Sequence, residues 1–338
     1  MTDERTTRIL ILGGTAWLGR ELVRAGRAAG HEVAVLARGE AGPLPEGVRA
    51  FVADRQEAGA YDAASSERWD AVIDVTRHPG HARGAVAALA GSTERWVFVS
   101  SCSVYADMRT QGVDESGALL PPLDADLLVD ADDYGSAKVA CEVAVLAGLG
   151  AERSLIARPS LIGGPGDGSG RGGYWPLRFA RPAVPGRVLV PDADTPVQLL
   201  DVRDLADWLI ASAAAGTAGI MNVAGDTVSL DEHLSTARAV AGFDGEMVAR
   251  DPGWLAEHEV SPWAGPRSLP LWLPEELAGL NAHDTTRARD AGLAPRPLEQ
   301  TLADMLAWEL AEGAGRERRA GLTDDEEREL LEESARRR

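Results

Sequence analysis

The sequence predicts an α/β protein in which a doubly wound parallel sheet is followed by a smaller C-terminal α+β region. Two observations indicate this fold class. In the first half of the chain, short and strongly apolar segments alternate with longer segments that are typical of helices. After residue 160, glycine and proline become dense and this alternation ends. Strands as apolar as those of the first half are typical of a sheet that helices cover on both faces.

The elements of the first half follow one another in the order expected of a doubly wound sheet. The predicted strands are RILIL (8–12), EVAVLA (32–37), VRAFVA (48–53), DAVIDV (70–75), RWVFVS (95–100) and RSLIAR (153–158). The segments 18–30, 80–91 and 134–150 are predicted to be crossover helices.

The change in composition divides the chain into three predicted parts. Residues 1–160 form the sheet domain, and residues 161–312 form a second region, some segments of which return to the sheet. Residues 313–338 form a charged C-terminal helix, where Thr323 and Glu326 have the spacing of a capping box. We expect this last helix to be peripheral.

The charge and composition exclude several classes of partner. The net charge is −19 and the pI is near 4.7, so the protein repels nucleic acid and anionic membrane surfaces. We find no apolar run long enough to span a membrane and no secretory signal. Cys102 and Cys141 suggest neither a disulfide framework nor a metal site. We therefore expect a cytoplasmic protein without a metal.

A glycine-rich turn, GGTAWLGR (13–20), follows the first strand directly and opens the first helix. Such a turn presents free N–H groups to an anion and is typical of a dinucleotide site. We expect the cofactor to contact Gly13, Thr15, Ala16, Trp17, Leu18 and Gly19. Ala16 stands where a glycine would allow the closest approach of the pyrophosphate.

The end of the second strand bears on the choice of nucleotide. It carries Ala37 and Arg38 where an NAD-selective site has a carboxylate, so the sequence favours NADP over NAD. Glu40 keeps an NAD site open as the alternative. The adenosine is predicted to meet Asp54 and Arg55 after the third strand, and Val75 and Thr76 after the fourth.

The stretch DDYGSAKVACE (132–142) places Tyr134 and Lys138 one helical turn apart, beside the crevice that the dinucleotide would occupy. A cation on the same face favours the phenolate and lowers the pKa of a tyrosine. Ser100 and Ser101 end the fifth strand. Ser100 is predicted to contact the cofactor, and the Ser101 hydroxyl is predicted to hydrogen-bond a substrate oxygen. Ser101, Tyr134 and Lys138 together predict the movement of a proton alongside a hydride.

At these motifs the sequence resembles the extended short-chain dehydrogenase/reductase family, also called the NAD-dependent epimerase/dehydratase family, which has a Rossmann fold. The resemblance rests on GGTAWLG, VSSCSVYA, YGSAK, ARPSLIGGPGD and the ending at residues 283–309. It implies that Tyr134 is the catalytic acid/base and that Lys138 binds the nicotinamide ribose. Ser101 would polarise the carbonyl, with Ser103 as its substitute.

The same resemblance implies further contacts and partners. Pro159, Ser160 and Leu161 would lie against the nicotinamide. The helices at 80–91 and 134–150 would form a homodimer through a four-helix bundle. Some motifs resemble a branch of reductase-like proteins related to chloroplast stem-loop RNA-binding proteins, so a non-catalytic nucleotide- or RNA-binding protein is one alternative.

We expect an oxidoreductase that acts on a small organic carbonyl compound or alcohol. A nucleotide-sugar epimerase or dehydratase is the main alternative. Members that act on nucleotide sugars carry an asparagine and an arginine where this chain has Ser160 and Val197–Gln198, although Arg171 or Arg178 could substitute as a diphosphate clamp. Ser103, Ser160, Tyr174 and Trp175 are predicted substrate contacts in a tryptophan-rich second region.

Overall fold

The computed structural model describes residues 6–40, 42, 44–312 and 318–336. The first half contains β1 (Arg8–Leu12), α1 (Trp17–Ala28), β2 (Glu32–Ala37), β3 (Arg49–Val52), α2 (Asp62–Ser65), β4 (Trp69–Asp74), α3 (Pro79–Leu89), β5 (Thr93–Val99), α4 (Tyr134–Leu149) and β6 (Ser154–Pro159).

The second half contains β7 (Leu161–Gly163), α5 (Tyr174–Ala180), β8 (Arg187–Pro191), β9 (Pro196–Asp201), α6 (Val202–Ala215), β10 (Gly219–Val223), β11 (Thr227–Ser229), α7 (Leu230–Ala241), β12 (Glu246–Arg250), α8 (Pro252–Glu257), β13 (Ser261–Trp263), β14 (Gly265–Pro266), β15 (Ser268–Pro270), α9 (Thr286–Asp290), α10 (Leu298–Glu312), β16 (Ala320–Gly321) and α11 (Asp324–Arg336).

The central sheet has seven parallel strands in the order β10-β6-β5-β4-β1-β2-β3. The chain order reverses next to β1, because β2 and β3 lie on one side of it and β4, β5 and β6 on the other. In such sheets ligands bind at the carboxyl ends of the strands, where the order reverses. The predicted doubly wound parallel sheet is confirmed, and β10 joins it from the second half.

Each face of the sheet is covered by helices, which explains why its strands are apolar on both sides. Ile9 and Ile11 of β1 pack in one core cluster, which includes residues of α1 and α6. Leu10 and Leu12 of the same strand pack in another, which includes residues of α3 and α4. Because successive side chains of a strand point to opposite faces, β1 contributes residues to the core on each side of the sheet.

The second region has its own core, built around α5, α7, α10 and several short sheets. β9 is central in a three-stranded sheet between β7, which is parallel to it, and β11, which is antiparallel. β8 pairs with β12, and β13 pairs with β15. This core holds Tyr174 and Trp175, whose side chains are almost fully buried.

The C-terminal helix α11 differs from the expectation of a peripheral element. The capping box forms, since Thr323 Oγ1 accepts from Glu326 N and Glu326 Oε2 accepts from Thr323 N. However, Leu330 and Leu331 are buried in the core of the second region. Glu327 is buried too and accepts a hydrogen bond from Leu189 N at 3.0 Å. Helix α11 therefore buries one apolar face in this core and is part of the structure of the second region. The boundary predicted at residue 313 lies outside the described residues.

Helices α3 and α4, proposed from the resemblance as a dimer surface, pack closely on each other. A side chain at Gly148 would overlap Val86, so this glycine is needed for the contact within the chain. Val143 of α4 is 53% exposed on the outer surface. The homodimer stays a prediction. In the described part of the chain, every helix is too short or too polar to traverse a bilayer.

Leu330→Ala tests the structural role of α11. Because the side chain is fully buried, its truncation should lower the free energy of unfolding by about 2–5 kcal/mol, as measured by urea denaturation. Glu332, on the exposed side of the same helix, provides the matched control, and Glu332→Ala should change the value by less than about 0.5 kcal/mol. Equally small effects for both variants would show that the helix is peripheral.

Candidate active site

The glycine-rich turn packs so tightly that side chains are excluded at three positions. Gly13 has a φ of 99° and donates to Leu36 O at 2.9 Å. A Cβ on Gly14 would lie 2.7 Å from Val35, and one on Gly19 would lie 2.6 Å from the Cα of Gly14. The start of α1 is thereby pressed against the end of β1, as a phosphate-binding turn requires.

Ala16 is compatible with this turn. It is the N-cap of α1 with φ −79° and ψ 172°, an extended conformation open to any residue. Its methyl side chain cannot accept a hydrogen bond from the helix. The first N–H groups of α1 therefore remain available to an anion.

Trp17, predicted to contact the cofactor, has a side chain that is bonded within the protein. Its Nε1 donates to Pro165 O at 2.8 Å, and a side chain on Gly166 would meet the indole at 3.1 Å. The indole therefore joins the glycine-rich turn to the loop after β7. Only the backbone of Trp17 is left for a cofactor.

A cavity of about 210 Å³ lies beside the end of β2, with apolar walls that include Val35, Ala37 and Val52. Thr15 of the glycine-rich turn also lines it. Apolar walls of this kind suit a nucleobase. A larger cavity of about 730 Å³ lies near the amino ends of β1, β4 and β5. Since doubly wound sheets bind ligands at the carboxyl ends, the smaller cavity belongs to the candidate site.

Arg38 is exposed after β2, and its Nη2 lies 3.2 Å from Glu40 Oε2. Because both side chains are mostly in solvent, this ion pair is weak and open to competition from a phosphate. Asp54 is half-buried and accepts from Gln56 N at 2.9 Å. Both predicted cofactor residues thus remain accessible.

Arg55, in contrast, has its side chain committed within the protein, so a cofactor contact by this residue stays a prediction for its backbone alone. Its two terminal nitrogens donate to the two carboxylate oxygens of Asp74, each at 2.8 Å, and Nε donates to Tyr61. Although burial opposes the charged form, Asp74 raises the pKa of Arg55 above its usual range. Asp74 also accepts from Thr76 N at 3.0 Å, so the pair shapes the end of β4. A Cβ on Gly13 would lie 2.8 Å from the side chain of Val75, which therefore sits close to the glycine-rich turn.

Lys138 is buried and holds three elements together. Its Nζ donates to Thr76 O at 2.6 Å, after β4, and to Val99 O at 2.7 Å, at the end of β5. It also lies 5.0 Å from the ring centroid of Phe98 and 5.9 Å from that of Tyr134. An ammonium group has three donors, so one is left without a partner among the described residues.

Tyr134 begins α4 and is half-buried beside the turn that follows β5. A side chain on Gly135 would overlap the carbonyl oxygen of Ser103, so glycine is required for this contact. Ser101 Oγ donates to Ser103 Oγ at 3.1 Å and accepts from Ser103 N at 3.1 Å. The structure therefore brings the turn that carries Ser101 and Ser103 onto the first turn of α4.

A buried network of hydrogen bonds lies behind the contact between the turn after β5 and the start of α4. Glu142 of α4 accepts from Arg158 at 3.0 and 2.7 Å and from Ser100 Oγ at 2.5 Å. Arg158 also donates to the hydroxyl of Tyr105, which in turn donates to Asn222 at 2.6 Å. Burial raises the pKa of Tyr105 to about 12. The hydroxyl of Ser100 is committed to Glu142, so its predicted role as a cofactor contact is wrong.

Three residues at the end of β6 and just after it were predicted to lie against the nicotinamide. Pro159 ends β6 within the sheet, and Ser160 Oγ donates to Gln198 O at 3.1 Å while remaining half-buried. Leu161 faces the core of the second region. Its side chain therefore lacks the open face that a nicotinamide contact needs.

Tyr174 and Trp175 do not contact the crevice, and the prediction that they bind substrate is wrong. Trp175 is fully buried, and its Nε1 donates to Pro270 O at 2.8 Å. Tyr174 is 2% exposed and packs against Trp175 edge to face. Both aromatic side chains of α5 pack in the core of the second region, where they bury a large apolar area.

The two arginines considered as diphosphate clamps differ in what surrounds them. Arg178 is buried and bonded to Asp324 at 2.7 Å and to Glu327 at 3.1 Å, so it is a structural residue. Arg171 is half-buried and lies 4.8 Å from the ring centroid of Trp263. It forms no salt bridge within the described part of the chain.

Sequence reasoning missed the supporting residues Asp74, Gly135, Glu142 and Arg158. A signal was present, since Glu142 interrupts the apolar helix KVACEVAVL and Arg158 interrupts the apolar strand SLIARP. A charge inside a buried element requires a partner. Which partner it has depends on the fold.

A sequence profile of the NAD dependent epimerase/dehydratase family matches residues 9–224 of this chain. 2'-Dehydrokanamycin reductase from Streptomyces kanamyceticus is 34% identical over 226 residues, which cover 63% of this chain and 61% of that protein. The match therefore spans less than two thirds of either chain.

3-Diazoavenalumate denitrifying reductase from Streptomyces sp is 29% identical over 311 residues, which cover 84% of this chain and 91% of that protein. The crystal structure of UDP-N-acetylglucosamine 4-epimerase from Bacillus cereus superimposes with a TM-score of 0.63 over 92% of this chain and 98% of that chain. At 16% identity this likeness shows the fold alone. The relation to chloroplast stem-loop binding proteins stays a prediction.

A double-mutant cycle tests the buried network. Glu142→Met leaves the charge of Arg158 buried and unpaired, so it should lower the free energy of unfolding by about 3–5 kcal/mol. Glu142→Met/Arg158→Met should cost less than the sum of the single variants, as measured by urea denaturation. The exposed pair Glu21–Arg24 is the control, with a coupling below about 0.5 kcal/mol. Additive effects at Glu142 and Arg158 would contradict the network.

Proposed function

Because this chain belongs to the NAD dependent epimerase/dehydratase family, we propose that it is an NADP-preferring oxidoreductase that interconverts a carbonyl group and a secondary alcohol on a small organic substrate. The observation that carries the proposal is the position of Lys138, bonded to the ends of β4 and β5 with its ammonium near the ring of Tyr134. Both relatives reported above are named as reductases, which supports reduction as the chemistry.

The glycine-rich turn, the uncapped start of α1 and the apolar cavity beside β2 fit a dinucleotide. When bound, a nicotinamide cofactor supplies a hydride for reduction or accepts one for oxidation. The free donor of Lys138 is suited to a ribose hydroxyl. Arg38 is suited to a 2′-phosphate, which supports the preference for NADP.

In the direction of reduction, a bound nicotinamide cofactor would supply the hydride for the carbonyl carbon, and the Tyr134 hydroxyl would give its proton to the carbonyl oxygen. The product is the secondary alcohol. The nearby ammonium of Lys138 favours the phenolate that remains. Ser101 hydrogen-bonds the carbonyl oxygen, and to do so its hydroxyl exchanges the bond that it now donates to Ser103.

The charges of the second region favour this activity over that of a nucleotide-sugar epimerase or dehydratase. A diphosphate requires strong cationic contacts. Arg178 is occupied by Asp324 and Glu327, and Gln198 forms two hydrogen bonds with the backbone of His283. Arg171 is left as the candidate cation of this region.

Tyr134→Phe tests the chemistry. We expect kcat for NADPH-dependent reduction of a ketone and aldehyde panel to fall by about 10²–10⁴-fold, because the proton donor is lost. Binding of NADPH, followed by fluorescence titration, should be nearly unchanged. Tyr105→Phe, which removes a hydroxyl of the buried network, is the control and should retain most of the activity. Turnover of a nucleotide sugar without net oxidation of NADPH would instead support an epimerase.

Arg38→Ala tests the cofactor preference. Loss of a charge-assisted contact to the 2′-phosphate should raise the Kd for NADPH by about 10–100-fold and leave the Kd for NADH nearly unchanged. Arg24→Ala, on the exposed surface of α1, should change neither value. An equal loss for both nucleotides would mean that Arg38 does not read the phosphate.

A further inference from the structure

The loop between β7 and α5 carries Arg171. It is attached to the start of α1 through the bond from Trp17 to Pro165. Farther along, Asp167 accepts from both the backbone and the hydroxyl of Ser169, at 2.8 and 2.9 Å. The backbone N–H and Nε of Arg171 lie 3.3 and 3.4 Å from Ser169 Oγ. This loop therefore has a built shape that directs the side chain of Arg171.

Trp263 supports the guanidinium group from the other side. The ring centroid lies 4.8 Å from the Arg171 Cζ, which is the geometry of a cation–π contact. Trp263 has a φ of 69°, a left-handed conformation that is uncommon for a bulky residue. It ends β13 and is held there by pairing with β15. Strained residues of this kind cluster at ligand-binding sites.

Arg171 has fewer partners than other arginines of similar or deeper burial. Half-buried Arg153 and Arg238 donate to backbone carbonyls, whereas the side chain of Arg171 contacts only Ser169 Oγ, at 3.4 Å, and the Trp263 ring among the described residues. Arg55, Arg158 and Arg178 each pair with at least one carboxylate. Arg171 forms no salt bridge with the described residues, and burial lowers its pKa although Asp167 and Tyr134 oppose this effect. A partly buried cation without a paired carboxylate is suited to an anion from outside.

We propose that Arg171, held against Trp263, binds a carboxylate group of the carbonyl substrate. The inference rests on the proposed oxidoreductase function and specifies its substrate class. A planar guanidinium matches a carboxylate through two parallel hydrogen bonds. A diphosphate would need a second cation. Arg178 is already paired with Glu327, and neither the buried Val197 nor Gln198, which is bonded to the His283 backbone, carries a charge. In a protein of net charge −19, a local cation of this kind decides which anions enter the crevice.

The test measures binding of benzoate and its neutral counterpart benzamide to the full chain saturated with NADP⁺, by isothermal titration calorimetry. We expect benzoate to bind and Arg171→Gln to weaken its affinity by about 10–100-fold. Arg171→Lys should recover part of the loss, because the charge remains without the planar fork. Benzamide should bind Arg171→Gln and the parent protein alike. Arg24→Gln, on exposed α1, is the matched control and should have no effect.

Three results would overturn the inference. They are no benzoate binding by the parent protein, an equal loss of benzoate and benzamide in Arg171→Gln, and tighter Arg171-dependent binding of uridine diphosphate than of benzoate. NADPH and NADH titrations of the same preparations separate this failure from that of the proposed function. If neither nucleotide binds, the oxidoreductase proposal fails whatever benzoate does. If NADPH binds and benzoate does not, only the carboxylate inference fails.

Discussion

The candidate site depends on one buried ammonium group. Lys138 is 3% exposed, and its charge is stabilised by the carbonyl oxygens of Thr76 and Val99 rather than by a carboxylate. Because Val99 ends β5 and Thr76 follows the end of the neighbouring strand β4, the bonds fix the position of α4 against both strands. A hydrogen-bonded buried cation tolerates little displacement, since a lost bond is not replaced by water. Tyr134, four residues earlier on the same helix, is positioned by the same constraint.

Two buried ion pairs keep those carbonyls in place. Arg55 and Asp74 shape the end of β4, and the Asp74 carboxylate orients Thr76. Glu142 and Arg158 lie under the end of β5, next to Ser100. Buried ion pairs are weak evidence for stability, because removing charges from water is costly. Their value here is positional, since Glu142–Arg158 joins α4 to β6 and Arg55–Asp74 joins the segment after β3 to β4.

Trp17 joins the glycine-rich turn to the second region through its bond to Pro165. The C-terminal helix packs into the core of that region and bonds to β8 through Glu327. Arg178 connects α5 to α11, so its charge serves the core. Arg171, seven residues earlier, lies against Trp263 and forms no salt bridge with the described residues. The contrast between these two arginines is the basis for favouring a small carboxylate-bearing substrate over a nucleotide sugar. It arises from what each guanidinium contacts, because the residue types are the same.

The sequence by itself determined the parallel sheet, the glycine-rich turn and the Tyr134–Lys138 pair, because each is encoded by local spacing along one element. Only the tertiary structure decided which other side chains are free to bind a ligand. Arg55 meets Asp74 from 19 residues away, and Ser100 meets Glu142 from 42. Trp175 meets Pro270 from 95 residues away, and Arg178 meets Leu322 from 144. Folding brings such partners together, and periodicity along the chain holds no record of them.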